Sequence, residues 1–270
     1  LLSQREGDLT FVQVENVPAM GRKTIRFVKE QPSERKSQFS VKGQRIETPY
    51  YVMELNEAGQ IAGLFDKTFD REVLPKGARA NVLQVFEDKP LDNDAWDIDI
   101  FYQQKMREIT DLKRMDVKSC GSVKLSVHME WAYMNSTVTQ EMVLYAKSRR
   151  IDFVTKVDYH ETHQLLKAAF PVDIRATYGT YDIQYGNVRR PNHWNTSWDL
   201  ARFESVAHRW ADLSERNYGV SILNDCKYGH DIKDNVIRIS LLRSGLQPDH
   251  LQDQGMHTFT YALLPHGGDF

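Results

Sequence analysis

The run Val123-Lys-Leu-Ser-Val-His-Met-Glu-Trp131 alternates apolar and polar residues without a break. In an extended chain successive side chains point to opposite faces. One face therefore carries Val123, Leu125, Val127, Met129 and Trp131, and the other carries Lys124, Ser126, His128 and Glu130. This pattern belongs to an antiparallel strand with one face on a core and one face toward water. Similar signals recur at 50–55 and 60–65, joined by the turn Asn56-Glu-Ala-Gly59, and at 82–86, 109–117, 136–144 and 151–159. They continue at 168–174, 176–183, 206–212, 218–224, 236–242 and 258–264. Around fifteen short strands separated by turn signals, with almost no credible helix, predict an all-β architecture. So many strands exceed a simple sandwich, and two large antiparallel sheets packed face to face are expected.

Ahead of these lie strand signals at 9–14 and 24–28, with Pro18-Ala-Met-Gly21 as the turn between them. Residues 30–44 are polar and charged and read as a linker, which puts a domain boundary near Ser40 and divides the chain into 1–40 and 41–270. A chain of 270 residues can bury about three quarters of its unfolded surface, enough for one large domain and part of another. A net charge of −2 gives no electrostatic case for nucleic acid or an anionic membrane. The two cysteines, Cys120 and Cys226, do not make a disulfide scaffold, and a reducing, cytoplasmic setting is expected. No apolar run reaches the length of a membrane span. The chain opens on Leu1 and carries no secretory pattern, and it is expected to be a piece of something longer.

The densest polar chemistry falls between 152 and 209. Such groups either satisfy one another in a buried network or face a polar ligand such as a sugar. His160 and His163 suggest a metal, but residues three apart on a strand face opposite ways, and nothing at a suitable spacing completes a zinc set. These histidines are expected to tie a strand end to its neighbours, and no metal ligand is assigned. Asn192-His-Trp-Asn-Thr-Ser-Trp198 reads as an irregular loop capped by its own amides and hydroxyls, and includes the glycosylation sequon Asn195-Thr-Ser197. Glu161 and Lys167 lie among Leu165, Leu166 and Phe170, where a charge persists only with a partner, so both are expected to be structural. The acidic run Asp92, Asp94, Asp97 and Asp99 surrounds Trp96. Carboxylates accept sugar hydroxyls and an indole covers the apolar patch of a sugar ring, so Asp94, Trp96 and Asp97 are candidate substrate-binding residues. Arg243, just after a strand, is the fourth candidate through its guanidinium fork.

Several stretches resemble the C-terminal β-domain of family 38 of the glycoside hydrolases, the class II α-mannosidases, in the cytosolic and bacterial branch. They are 158–167 with Phe170-Pro171, 189–199 with Arg202-Phe-Glu204, Asp94-Ala-Trp-Asp97, Leu223-Asn-Asp-Cys-Lys-Tyr-Gly229, Ile239-Ser-Leu-Leu-Arg243, and Phe259-Thr-Tyr-Ala-Leu-Leu-Pro-His266. The resemblance runs from about 49 to 266. It implies a galactose-mutarotase-like supersandwich, preceded by the tail of a smaller β-domain at 1–40. It also implies a retaining exo-α-mannosidase acting on α-mannosyl oligosaccharides, with a zinc ion and an Asp nucleophile held by an upstream domain. No position here matches those ligands or that nucleophile, so no catalytic residue is assigned. The implied role is to support the enzyme's own N-terminal catalytic domain and to lend Asp94, Trp96, Asp97 and Arg243 to the rim of the sugar pocket. The alternative is a non-catalytic carbohydrate-binding or purely architectural β-domain.

Overall fold

The alternation at 123–131 is realised as the strand Lys124–Tyr133, with Leu125, Val127, Met129 and Trp131 buried. The computed structural model describes residues 1–26 and 37–270. The strand lies in a nine-stranded antiparallel sheet. From one edge the order is Leu112–Cys120, Lys124–Tyr133, Ser136–Tyr145 and Ile151–Tyr159, all sequential neighbours. Next comes the last strand of the chain, Gly255–Gly267, followed by Tyr218–Asn224, Trp210–Glu215, Tyr178–Ile183 and Gly186–Pro191. A six-stranded sheet runs Ser205–Val206, Gly229–Lys233, Val236–Ser244, Gln164–Pro171, Val82–Glu87 and Met106–Glu108. A five-stranded meander covers Ser40–Lys42, Arg45–Glu47, Tyr51–Leu55, Ile61–Asp66 and Arg71–Glu72.

One apolar core joins all three sheets. Phe153 and Tyr261 from the nine-stranded sheet stack at 5.2 Å, and Phe170 from the six-stranded sheet meets them at 5.8 and 6.1 Å. The two large sheets thus face each other across this aromatic cluster, as the strand pattern predicted. Polar groups inside are paired. Gln140 donates to Thr155 Oγ1 and Tyr261 OH at 2.9 Å, Tyr261 OH donates to Asn81 Oδ1 at 2.7 Å, and Asn81 donates back to Gln140 at 2.7 Å. The meander is fastened to the nine-stranded sheet by Asp66, fully buried, which takes the Arg149 guanidinium and the Tyr218 hydroxyl.

Several expectations need correction. Twenty-two strands are present among the described residues, because short polar strands such as Arg45–Glu47, Gly186–Pro191 and Gly229–Lys233 carry no clean alternation. The first hairpin pairs Leu2–Glu6 with Leu9–Gln13, so its turn is at Gly7 and not at Pro18–Gly21. Residues 24–26 are not in a strand, while 27 and 28 lie outside the described residues, as do 30–36 of the linker reading. The rest of that linker includes the strand Ser40–Lys42. The polar face of the 124–133 strand is only half open to water. Lys124 and Ser126 are buried: the N-terminal hairpin folds over Lys124, and Ser126 pairs with Ser119 of the adjacent strand at 2.9 Å. Gln4 Oε1 accepts from the backbone of Val123 and Lys124, and Lys124 Nζ sits 3.1 Å from Glu6 and 3.9 Å from the Phe11 ring centroid.

The Asn56–Gly59 turn shows how tightly the sheets meet. Gly59 has φ +76°, and a Cβ placed there would stand 2.8 Å from Trp131 Cζ2. Trp131 cannot retreat, because its indole N–H donates to Ala58 O at 2.8 Å. Gly59→Ala should therefore destabilise the fold by about 2–3 kcal/mol, combining left-handed backbone strain with overpacking. Chemical denaturation gives the check, and an unchanged midpoint would contradict this packing.

Candidate functional site

The strand Gln164–Pro171 is central in the six-stranded sheet, and its side chains alternate between two covered faces. Leu166, Ala168 and Phe170 enter the main core. Leu165 points the other way and packs with Phe86 and Tyr102 in a separate small cluster. Lys167 shares that second face by period two, with no exposed surface at all. A lone ammonium cannot persist there. Its Nζ lies 2.7 Å from Asp231 and also pairs with Glu204. Asp231 takes Arg238 Nε at 2.8 Å from its cross-strand partner position, and Tyr102 OH donates to Glu204. Two cations and two carboxylates leave the cluster neutral.

Each shift in this cluster has a cause. Burial alone disfavours the charged form of Lys167, but the Asp231 and Glu204 carboxylates outweigh it and raise the ammonium above its ordinary value. Burial pushes the Glu204 carboxyl up, against the pull of Lys167. Burial holds the neighbouring His230 down to about 4. That imidazole is neutral, with Nδ1 3.2 Å from Tyr228 O. The cluster is a clip. It fastens Tyr102, on the short helix Ile100–Gln104, and Glu204, beyond the turn Ser197–Leu200, onto the outer face of the sheet.

The helix Ile100–Gln104 closes the 88–99 loop that carries the candidate residues. The other end of the loop is fixed by Asp88, buried, whose carboxylate takes the Arg243 guanidinium while its N–H donates to His163 O at 2.8 Å. Arg243 also donates to Asp97 O. Asp94 Oδ2 accepts from Leu246 N at 2.8 Å and lies 3.7 Å from His163 Nδ1. Asn93 O accepts from the N–H groups of Trp96 and Asp97 at 2.8 and 2.9 Å. The fold thus gathers Asp94, Asp97 and Arg243 and makes the loop rigid, but it commits Asp94 and Arg243 to internal partners. Trp96 stands out, 70% exposed, and the Asp97 carboxylate has no partner among the described residues. An indole face beside an acceptor carboxylate can stack on a ring and take its hydroxyls. Leu91 and Phe101 are also largely exposed around it.

The histidine reading holds in part. His163 adopts φ +52° and fastens the strand end through its backbone, donating to Ser244 O at 2.5 Å, yet its Nδ1 has no hydrogen-bond partner. His160 is half out in water and pairs with Asp158 at 2.8 Å. Among the described residues no three His, Cys, Asp or Glu side chains converge as a metal set. Glu161 is buried and accepts from Asn135 N and Ser136 Oγ, and it does not pair with Lys167. The loop at 192–198 holds itself only in part: Thr196 and Asp199 form a reciprocal cap, while the Asn192 amide donates to Ala176 O and Asp234 O outside the loop. Sequence reading missed Asp88, Tyr102, Asp231 and Arg238. Glu204 carried a signal, as an acidic residue next to Phe203 in a polar stretch, but its partners are distant in the chain.

Two measurements check the clip. Lys167→Met leaves Glu204 and Asp231 buried with only Arg238, and should cost about 3–5 kcal/mol. An unchanged melting temperature would remove the clip from the account of stability. His230 has a folded-state pKa below that of the unfolded chain, so the unfolded state gains the proton first as pH falls. Its contribution is complete above about 6.5 and is lost between 6.5 and 4, up to about 3 kcal/mol. His230→Phe should flatten the loss of stability across that window, measured by urea titration at each pH. Tyr228 O keeps a donor in Ala207 N, so the variant strands no acceptor.

Comparison with known proteins places this geometry. The family described as Glycosyl hydrolases family 38 C-terminal domain matches residues 46–251. The chain is 40% identical over 223 residues to Alpha-mannosidase 2C1 of Homo sapiens, covering 81% of this chain and 21% of that protein. It is 39% identical over 229 residues to Alpha-mannosidase G of Dictyostelium discoideum, covering 83% of this chain and 21% of that one. It thus spans about a fifth of the length of these curated relatives. The crystal structure of an alpha-mannosidase from Enterococcus faecalis V583 superposes with a TM-score of 0.72 at 15% identity, over 87% of this chain and 30% of that one, a likeness of fold. With a family match over most of its length and relatives near 40% identity, the chain belongs to glycosyl hydrolase family 38 and corresponds to its C-terminal domain.

Proposed function

We propose that the chain is the C-terminal part of a longer retaining exo-α-mannosidase that removes terminal α-mannosyl residues from oligosaccharides. In this reading it buttresses the enzyme's own N-terminal catalytic domain and lends the 88–99 loop to the rim of the sugar pocket. The observation that carries the proposal is the fixed presentation of Trp96 and Asp97. A loop fastened at Asp88 and again at Tyr102 spends two buried ionic anchors to hold one indole in water. Arg243 and Asp94 act as positioning residues for that loop, and Trp96 and Asp97 are the contact groups.

The described residues do not fit a zinc site. The histidines that drew attention are separated, one paired with Asp158 and one turned toward Asp94. No catalytic step is therefore routed through a metal in this chain. Zinc, the nucleophile and the acid belong, in this proposal, to the remainder of the longer protein. No helix among the described residues is long and apolar enough to cross a membrane. Both cysteines are exposed and unpaired, which agrees with a cytosolic setting.

The test has two parts. The 270-residue chain alone should not hydrolyse an aryl α-mannoside, with or without zinc, and chelator-sensitive turnover would overturn that assignment. In the full-length protein, Trp96→Ala should lower kcat/KM by about 5- to 30-fold, equivalent to losing ~1–2 kcal/mol of stacking. Full catalytic efficiency in a folded Trp96→Ala variant would take the loop out of the site.

A further inference from the structure

A sizeable cleft lies away from the loop. It lies at the opposite end of the six-stranded sheet, with a volume of about 820 Å³, and is lined by residues of 173–178, 192–193, 214–216 and 234–235 together with Asp269. The strand Gln164–Pro171 begins beside the loop anchors and ends beside this cleft. Its eight residues separate the two by about 26 Å. The same holds for Val236–Ser244, which starts at the cleft and ends next to Arg243.

The walls of the cleft are fixed by backbone pairing. Asn192, buried, donates to Ala176 O at 2.9 Å and to Asp234 O at 2.6 Å, while Asp234 N donates to Asn192 O at 2.7 Å. Val172 N donates to Asn235 O, and Asn235 Nδ2 donates back to Val172 O, both at 2.9 Å. Arg175 N donates to Glu215 Oε2 at 3.0 Å. Four separate segments are thereby stitched into one rim without using the side chains of Arg175, Arg216 and Asp173. A preformed site of this kind loses little freedom when a ligand arrives.

The charges of the cleft sort into spent and unspent groups. Glu215 is paired with Arg71 at 2.8 Å, Asp234 with Lys233 at 2.8 Å and Asp269 with Arg189 at 3.2 Å. The side chains of Arg175, Arg216 and Asp173 make no ion pair or hydrogen bond among the described residues, and all three are exposed. Tyr178 forms part of the wall, with Arg189 braced 4.6 Å from its ring centroid. Unspent groups of both signs beside an aromatic ring suit a neutral ligand rich in hydroxyls better than a polyanion.

We propose that this cleft is a second saccharide-binding site, taking two or three units of a neutral oligosaccharide at a distance from the loop. It would hold a substrate branch that the catalytic site does not. The choice of mannosides as its ligands rests on the proposed function, whereas the cleft itself rests only on its own geometry.

Calorimetric titration of the 270-residue chain with mannotriose, maltotriose and inorganic phosphate tests the proposal. The variants are Arg175→Ala/Arg216→Ala, Tyr178→Ala and Trp96→Ala, each first confirmed by an unchanged melting curve. The expected result is binding of a trisaccharide that weakens at least tenfold in the two cleft variants and persists in Trp96→Ala. Binding of maltotriose alone with that variant pattern would support the cleft while counting against a mannoside function. Binding that Trp96→Ala abolishes and the cleft variants retain would overturn the cleft and leave the loop reading standing. Binding of phosphate without either sugar, or of none of the three, would also overturn the proposal.

Discussion

A fully buried ammonium is the constraint on which the outer face of this domain depends. Lys167 occupies a position where the strand period demands a side chain pointing away from the main core, and the sheet is covered there too. Covering it with apolar groups alone would have stranded the charge. The chain instead brings Asp231 from the adjoining hairpin, Glu204 from a connection nearly forty positions later and Arg238 to balance them. Tyr102 closes the arrangement from the far side of the 88–99 loop. A cluster with this many obligatory members rewards only one arrangement of its segments. It selects where the loop ends and where the 197–206 crossing lies, in addition to any stability it supplies.

The fold was legible along the long strands rich in apolar residues. Residues 151–159 and 218–224 begin and end as their pattern indicated, and 124–133 differs by one residue at its start. Legibility failed at the edges. Gly186–Pro191, an edge strand, is held by ladder hydrogen bonds to one neighbour and its side chains are largely in solvent, so hydrophobic period carries no signal. The polar face of 124–133 misled for the opposite reason, since the cover over Lys124 comes from 120 positions away. The nearness of the candidate residues was legible, but not the partner each of them takes. Asp94, Trp96, Asp97 and Arg243 do share one end of the sheet. Which of them is spent on the scaffold depends on Asp88 and Leu246, and no spacing rule connects those residues.

The rim and the clip divide labour within one strand. Gln164–Pro171 supplies the backbone that receives the loop at one end and the cation that locks the loop's exit in its middle, and it runs at its other end toward the 173–178 wall of the cleft. A scaffold of this sort can vary the loop without touching the core, because the core face of the strand, Leu166, Ala168 and Phe170, is independent of the face that carries Lys167.

The position of the strand Gly255–Gly267 has a consequence for how the molecule comes into being. Within these 270 residues it follows every other strand in sequence, yet it lies fifth of nine in its sheet, between Ile151–Tyr159 and Tyr218–Asn224. Until it arrives, those two strands each present an unpaired, apolar edge, and the sheet exists as two halves. Synthesis up to that point leaves open strand edges that this thirteen-residue segment seals. Contacts this distant in sequence form slowly, and the half-built sheet is the species a cell's chaperones would meet.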